Sequence, residues 1–265
     1  MNLDNISSPI KALILDVDGV LWRAGQPIGD LSTIFDAITA RRLKVTLATN
    51  NSTDTPAAYV QKLAKLGVHL EPSQLVNSSL AVATLLKEKF PDGGEVYVIG
   101  EIGLIEALRA EGFTPFLGEE EPTSPTAVVV GMDMSITYEK LTQATLLIRA
   151  GAPFYATNAD RTYPTPRGQY PGAGTILAAL TTATDVGPIV AGKPAPYLLQ
   201  LAMQRMGVSP EETLMVGDRL ATDILGGQNA GCKTALVLSG VTTREDAEAW
   251  MPKVDIIAEN LGEII

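Results

Sequence analysis

Four short apolar runs constrain this chain more than anything else in it. "ALILD" (12–16), "VTLATN" (45–50), "PIVAGK" (188–193) and "TLMVGD" (213–218) each stop at a polar residue. None shows strict in–out alternation, so each reads as a strand buried on both faces, as in a parallel sheet. Amphipathic stretches follow the first two. "DLSTIFDAITARR" (30–42) has Asp30 or Ser32 placed to cap a helix, and "TPAAYVQKLAKLG" (55–67) has Pro56 near the first helical position and Gly67 at its end. This strand–helix alternation predicts an α/β fold with a Rossmann-like parallel-sheet core.

A second strand–helix group interrupts the first. The pattern predicts helices over 79–90, 101–111 and 138–150, and strands over 95–100, 126–131 and 152–158. Between them "EGFTPFLGEEEPTSPT" (111–126) reads as a turn-rich, acidic, solvated loop, and "ATNADRTYPTPRGQYPGAG" (156–174) as a structured loop. The first pattern resumes near 188, with helices over 196–206, 221–230 and 243–250 and strands in "KTALVLS" and "VDIIAE". The expected organisation is a discontinuous core, 1–79 plus 187–265, carrying a smaller α/β domain inserted at 80–186.

Composition narrows the function. Of 265 residues 46% are apolar and 19% charged, as in ordinary folded domains. No apolar stretch approaches the roughly 18 residues of a membrane span. The start, "MNLDNISSPIK", lacks the basic-then-apolar pattern of a secretory signal. The single cysteine, Cys232, excludes an intrachain disulfide and a thiolate metal cluster. A cytoplasmic protein is the expectation. The net charge of -10 disfavours nucleic-acid and anionic-membrane partners. A small anionic substrate is still allowed, because a local cation can override the global field.

In an open parallel sheet, ligands bind beyond the carboxyl ends of the strands. Asp16, Asp18, Thr49, Asn50, Lys193 and Asp218 can therefore converge, with Asp223 joining from the helix that follows. Each alone has an ordinary explanation as a cap, a turn residue or a solvated charge. Their joint occurrence at successive strand ends is what points to chemistry. Four carboxylates gathered at one site, Asp16, Asp18, Asp218 and Asp223, repel one another and need a cation beside them. Hard oxygen donors without His or Cys suit Mg²⁺.

"DVDGVL" (16–21), "TNN" (49–51), "GKP" (192–194) and "GDRLATDILGG" (217–227) resemble, in order, the four motifs of the haloacid dehalogenase superfamily. Their wording is similar to the NagD or p-nitrophenylphosphatase branch, over roughly residues 11–260. The resemblance implies a Mg²⁺-dependent phosphatase acting on a small phosphorylated metabolite, such as a sugar phosphate, a nucleotide or phosphoglycolate. Asp16 would be the nucleophile and Asp18 the general acid and base. Thr49, Asn50, Asn51 and Lys193 would hold the phosphoryl group. Asp16, the Asp18 carbonyl and Asp218 would hold the metal, with Asp223 a ligand or a partner of metal-bound water. The insert would be a mobile cap, with Asn158 and Asp160 at its base, Tyr163 and Arg167 near the leaving group, and a homodimer forming through it.

Asp18 argues against dehalogenation, since halide departs without a proton. Two other readings stay open: a phosphotransferase or phosphomutase, and a signalling module phosphorylated on Asp16. The chain's length and Asp18 both count against the module. His69, the only histidine, reads as structural or exposed, and Trp22 falls in a flap-like segment after the first motif. Neither G-x-x-x-x-G-K-[ST] nor G-x-G-x-x-G occurs, so ATPase and dinucleotide readings lack support.

Overall fold

The computed structural model describes residues 3–6, 9–23, 25–118, 124–165 and 167–265, with the side chains of Asn5 and Pro164 outside that description. The chain divides into two compact units. The first is Met1–Thr49, Pro56–Val76 and Lys193–Ile265; the second is Asn50–Thr55 and Asn77–Gly192. Residues 50–55, 77–79 and 187–192, expected with the core, thus group with the second unit.

Among the described residues, the first unit is built on a six-stranded sheet. Its order is Ile256–Ala258, Lys233–Val237, Thr213–Gly217, Ala12–Leu15, Lys44–Thr49 and Leu75–Asn77. The pairings from Ile256–Ala258 across to Lys44–Thr49 are parallel, with Leu15 level with Val216 on one side and Leu47 on the other. The chain leaves the central strand Ala12–Leu15 towards one edge and later returns on its other side. That reversal of strand order creates a crevice at the strand's carboxyl end. Leu13, Leu15, Leu47, Leu214 and Val216 fill the core beneath it, all fully buried. Burial of such side chains contributes about 1.5–3 kcal/mol each, which holds the strand ends in place.

The second unit repeats the plan at smaller scale. Its five-stranded sheet runs Ile189–Val190, Phe154–Ala156, Ala127–Val130, Gly94–Ile99 and Phe113–Leu117, all pairings parallel. Tyr97, Ile99, Val128, Val130 and Phe154 pack against Ile148, Leu177 and Leu180 from the helices Tyr138–Arg149 and Ala173–Thr184. Thr137 caps the former, its hydroxyl accepting from the Lys140 amide.

Three stretches of this unit depart from expectation. The segment 111–126 is not wholly a loop: Phe113–Leu117 is an edge strand despite Pro115, which the edge of a sheet tolerates. The acidic part of that segment, 119–123, lies outside the described residues. Within 156–174, Thr162–Thr165 and Gly168–Pro171 form an antiparallel hairpin, Tyr163 opposite Tyr170. The helix Ala173–Thr184 starts where a loop was expected to end. Among the described residues, no helix is long and apolar enough to cross a membrane.

Candidate active site

Asp16 follows the central strand directly, its amide donating to the Val216 carbonyl at 2.9 Å. Lys193 reaches the same strand ends from the third motif. Its ammonium donates to Asp16 Oδ1 at 2.7 Å, to Asp223 Oδ1 at 2.6 Å and to the Ala48 carbonyl at 3.0 Å. The lysine and both carboxylates are nearly sealed from water, with exposures of 2% for Lys193, 8% for Asp16 and 1% for Asp223. Thr49, also buried, ends the strand that supplies Ala48. The first, third and fourth motifs therefore meet, within the first unit, at one ammonium group, beside the strand that leads into the second.

The fourth motif supplies Asp218 and Asp223 through an unusual turn. The Ile224 amide bonds to the Arg219 carbonyl and the Leu225 amide to the Leu220 carbonyl, both five residues back, so Leu220–Ile224 is a single π-helical turn. Such turns recur at functional sites. The turn brings Asp223 Oδ2 under the Asp218 and Arg219 amides, at 3.1 and 3.0 Å. Both Asp223 oxygens are thereby engaged.

Asp218 is treated differently. Its Oδ2 accepts from the Val241 amide at 3.0 Å, and its carbonyl accepts from the Thr242 hydroxyl. Its Oδ1 is buried and accepts no hydrogen bond from any described residue. Gly19 and Gly240 approach the carboxylate from either side, and a Cβ at either position would overlap it. Gly19 also has φ +85°, in the left-handed region open to glycine. The Ser239 hydroxyl donates to the Gly19 carbonyl, tying the loop 239–242 to the first motif. That loop escaped the sequence reading: its grip on the Asp218 carboxylate is a backbone amide, which carries no residue identity, and its Ser239 and Thr242 hydroxyls are ordinary turn residues in sequence. Its one signal is its position after another apolar run, "TALVL".

Oxygens of Asp16, Asp218 and Asp223 lie within 4.8 Å of one another. At an effective dielectric of about 20, each ionised pair at that spacing repels by roughly 3–4 kcal/mol. One ammonium cannot offset three such charges. Burial, then repulsion from Asp223 and Asp218, pushes the Asp16 carboxyl well above its ordinary range, although Lys193 pulls the other way. Burial and Asp223 raise Asp218 to about 6. Burial alone would lower the Lys193 pKa, but Asp16 and Asp223 overcome it and hold the ammonium above the usual lysine value. Asp18 stays exposed, yet protein crowding around its carboxyl raises its pKa, against a hydrogen bond from the Trp22 indole.

The other predicted residues belong to the second unit. The buried Asn158 donates from Nδ2 to the Asn50 carbonyl at 2.8 Å, Asn50 donates to Asp160 Oδ1 at 3.3 Å, and the Asp160 amide returns to Asn158 Oδ1. Asn50, Asn158 and Asp160 thus form one network. Asn51 Oδ1 accepts from the Thr53 amide and hydroxyl, closing a local turn. Tyr163 and Arg167 lie in the hairpin, Arg167 exposed at its bend. His69 is exposed and Cys232 buried beside Met203, outside the site.

Comparison with known proteins agrees with this geometry. Residues 13–114 match the haloacid dehalogenase-like hydrolase family, and residues 190–264 match a second family described as HAD-hydrolase-like. Phosphoglycolate phosphatase 2 of Arabidopsis thaliana is 38% identical, over 92% of this chain and 88% of the relative. The 5'-nucleotidase YutF of Bacillus subtilis is 38% identical, over 96% and 97%. NagD from E. coli K-12 superposes with a TM-score of 0.89 at 33% identity, covering 97% of this chain and 99% of that one. Glycerol phosphate phosphatase Rv1692 from Mycobacterium tuberculosis, solved with magnesium, gives 0.89 at 34%, over 97% and 78%. The chain belongs to the haloacid dehalogenase-like hydrolase family, and its similarity is to the NagD-like branch.

Proposed function

We propose that this enzyme, a phosphatase, hydrolyses small phosphate monoesters through a covalent aspartyl-phosphate, with Mg²⁺ as its cofactor. One observation carries the reading: a buried, under-neutralised carboxylate cluster at the ends of the central strands, with Asp218 Oδ1 left without a donor. That orphaned oxygen and an all-oxygen donor set fit a hard divalent cation. Asp16, the Asp18 carbonyl and Asp218 would hold it. When bound, it supplies positive charge that offsets the carboxylates and stabilises the phosphoryl oxygens. Asp223, already engaged through both oxygens, positions Lys193 and the backbone of the fourth motif.

In the first step an Asp16 carboxylate oxygen bonds to phosphorus while the bond from phosphorus to the leaving oxygen breaks. Asp18 passes its proton to that oxygen, and the alcohol departs. In the second step Asp18, now a carboxylate, takes a proton from water. The water oxygen bonds to phosphorus, the Asp16 ester bond breaks, and inorganic phosphate leaves with both aspartates restored. Lys193 and Thr49 stabilise charge on the phosphoryl group. Asn50 and Asn51 share that task, and Asn158, Asp160, Tyr163 and Arg167 are assigned to substrate choice by family resemblance. The relatives named for phosphoglycolate, 5'-nucleotides and glycerol phosphate all point to a monoester on a small polar skeleton.

Asp16→Asn should lower phosphate release from such esters by at least about 10³-fold while leaving the circular dichroism spectrum of the folded protein intact. Chelation should abolish the wild-type activity and Mg²⁺ restore it. Substantial turnover in Asp16→Asn would remove the nucleophile from this scheme. Phosphate appearing on an added alcohol, with none released to water, would redirect it to group transfer.

A further inference from the structure

The first motif runs into a short hairpin, Trp22–Arg23 paired with Gln26–Pro27. The chain folds back tightly to reach it. The Gly19 amide donates to the Trp22 carbonyl at 2.7 Å and the Leu21 amide to the Val17 carbonyl at 2.9 Å. The indole then returns to the motif: Trp22 Nε1–H donates to Asp18 Oδ1 at 2.9 Å. The ring itself is half-buried and packs on the hydrophobic core of the first unit, so the donor is held by packing. Asp18 is otherwise exposed, and no other described residue donates to its carboxyl.

An indole N–H donates and never accepts. It therefore fixes Oδ1 as an acceptor, and a proton on Asp18 must sit on Oδ2. A carboxyl free to spin would present its proton in many directions; this one presents it in one. We infer that Trp22 is a positioning residue for proton transfer, holding Asp18 so that Oδ2 serves the departing oxygen. The inference rests on the reading of Asp18 as the general acid and deepens it.

A purely structural tryptophan and a positioning one make different predictions about leaving groups. An alkoxide needs a proton as it departs, whereas p-nitrophenolate leaves well without one. The quantity to compare is kcat/KM, which reports transition-state stabilisation from free enzyme and substrate and so carries the bond-breaking step. Trp22→Phe keeps most of the ring packing and removes only the N–H. With Mg²⁺ present, it should lower kcat/KM for glycerol phosphate by about 10- to 100-fold and for p-nitrophenyl phosphate by less than about 3-fold. Equal losses on the two esters, or no loss on glycerol phosphate, would overturn the inference.

Asp18→Asn, assayed in parallel, separates this from the reading beneath it. That variant should cost about 10²- to 10⁴-fold on glycerol phosphate. If it does not, the acid assignment itself fails. If it does and Trp22→Phe shows no discrimination, only the role of Trp22 falls. Should Trp22→Phe not fold, fluorescence provides the test. The chain has two tryptophans, so Trp250→Phe leaves Trp22 as the sole emitter. Its emission maximum should shift when Asp18→Ala removes the carboxylate, and an unchanged spectrum would overturn the contact.

Discussion

The two units of this chain are built alike and treat charge in opposite ways. Each is a parallel sheet flanked by helices, and each places an aspartate just past an apolar strand. In the second unit that residue is Asp133, after "AVVVGM". It is buried, and its needs are met locally: Lys140 Nζ lies 2.7 Å from Oδ2, while the Ser135 amide and hydroxyl donate to Oδ1. In the first unit, Asp16 and Asp223 share one lysine, and Asp218 Oδ1 has no donor among the described residues. A buried charge whose bonds are complete is compatible with a structural role alone. A buried charge left incomplete raises the energy of the fold and needs another reason to be there. The difference marks which strand ends do chemistry.

The comparison can be broken most directly at Lys193. Lys193→Met should cut phosphate release by about 10²- to 10⁴-fold and destabilise the protein as well, since it strips the shared cation from two buried carboxylates. A variant with near-normal turnover would show the cluster to be structural. The unfolding midpoint of chelator-treated protein sharpens the contrast. Asp133→Asn should cost about 3 kcal/mol by leaving Lys140 without its carboxylate, whereas Asp218→Asn should stabilise by about 1 kcal/mol by relieving repulsion. Two losses of the same sign would erase the distinction.

A pH series on the same metal-free protein is a smaller test. Asp218 binds its proton more tightly folded, at about 6, than at its ordinary value of 3.8. Between those values the folded state carries more protons than the unfolded one, so stability should fall as pH rises from about 4 to about 6. Saturating Mg²⁺ should flatten that slope. The smallest effect belongs to the second unit's core, where the Tyr97 hydroxyl donates to the Gly118 carbonyl at 2.7 Å. Burial pushes this phenol up to about 12, so it stays a neutral donor across the working range. Tyr97→Phe should cost about 1 kcal/mol in thermal unfolding and leave kcat unchanged.

Much of this was legible in the residues, for a physical reason. Strands buried on both faces must be continuously apolar, so "ALIL", "TLMVG" and "AVVV" announce themselves, and a carboxylate ending such a run stands out. Leu75–Asn77 is too short to show a period, and Phe113–Leu117 is interrupted by Pro115. "AGTILAALTTAT" (173–184) is rich in threonine, yet it is helical because Leu177 and Leu180 bury against the second sheet. Within the site, side-chain identities could be read and backbone roles could not. The Val241 amide that grips Asp218, and the amides that grip Asp223, have no signature in the sequence. Asp133 carries the same strand-end signal, but no motif accompanies it.

The wide turn at Leu220–Ile224 holds one residue more than an ordinary helical turn would. Removing a single residue there would let the ladder close four apart and swing the carboxylate of Asp223 about 100° around the axis. Lys193 would lose one of its two carboxylate partners without any substitution at either position. Length, at this point in the chain, is as much a determinant of the chemistry as identity.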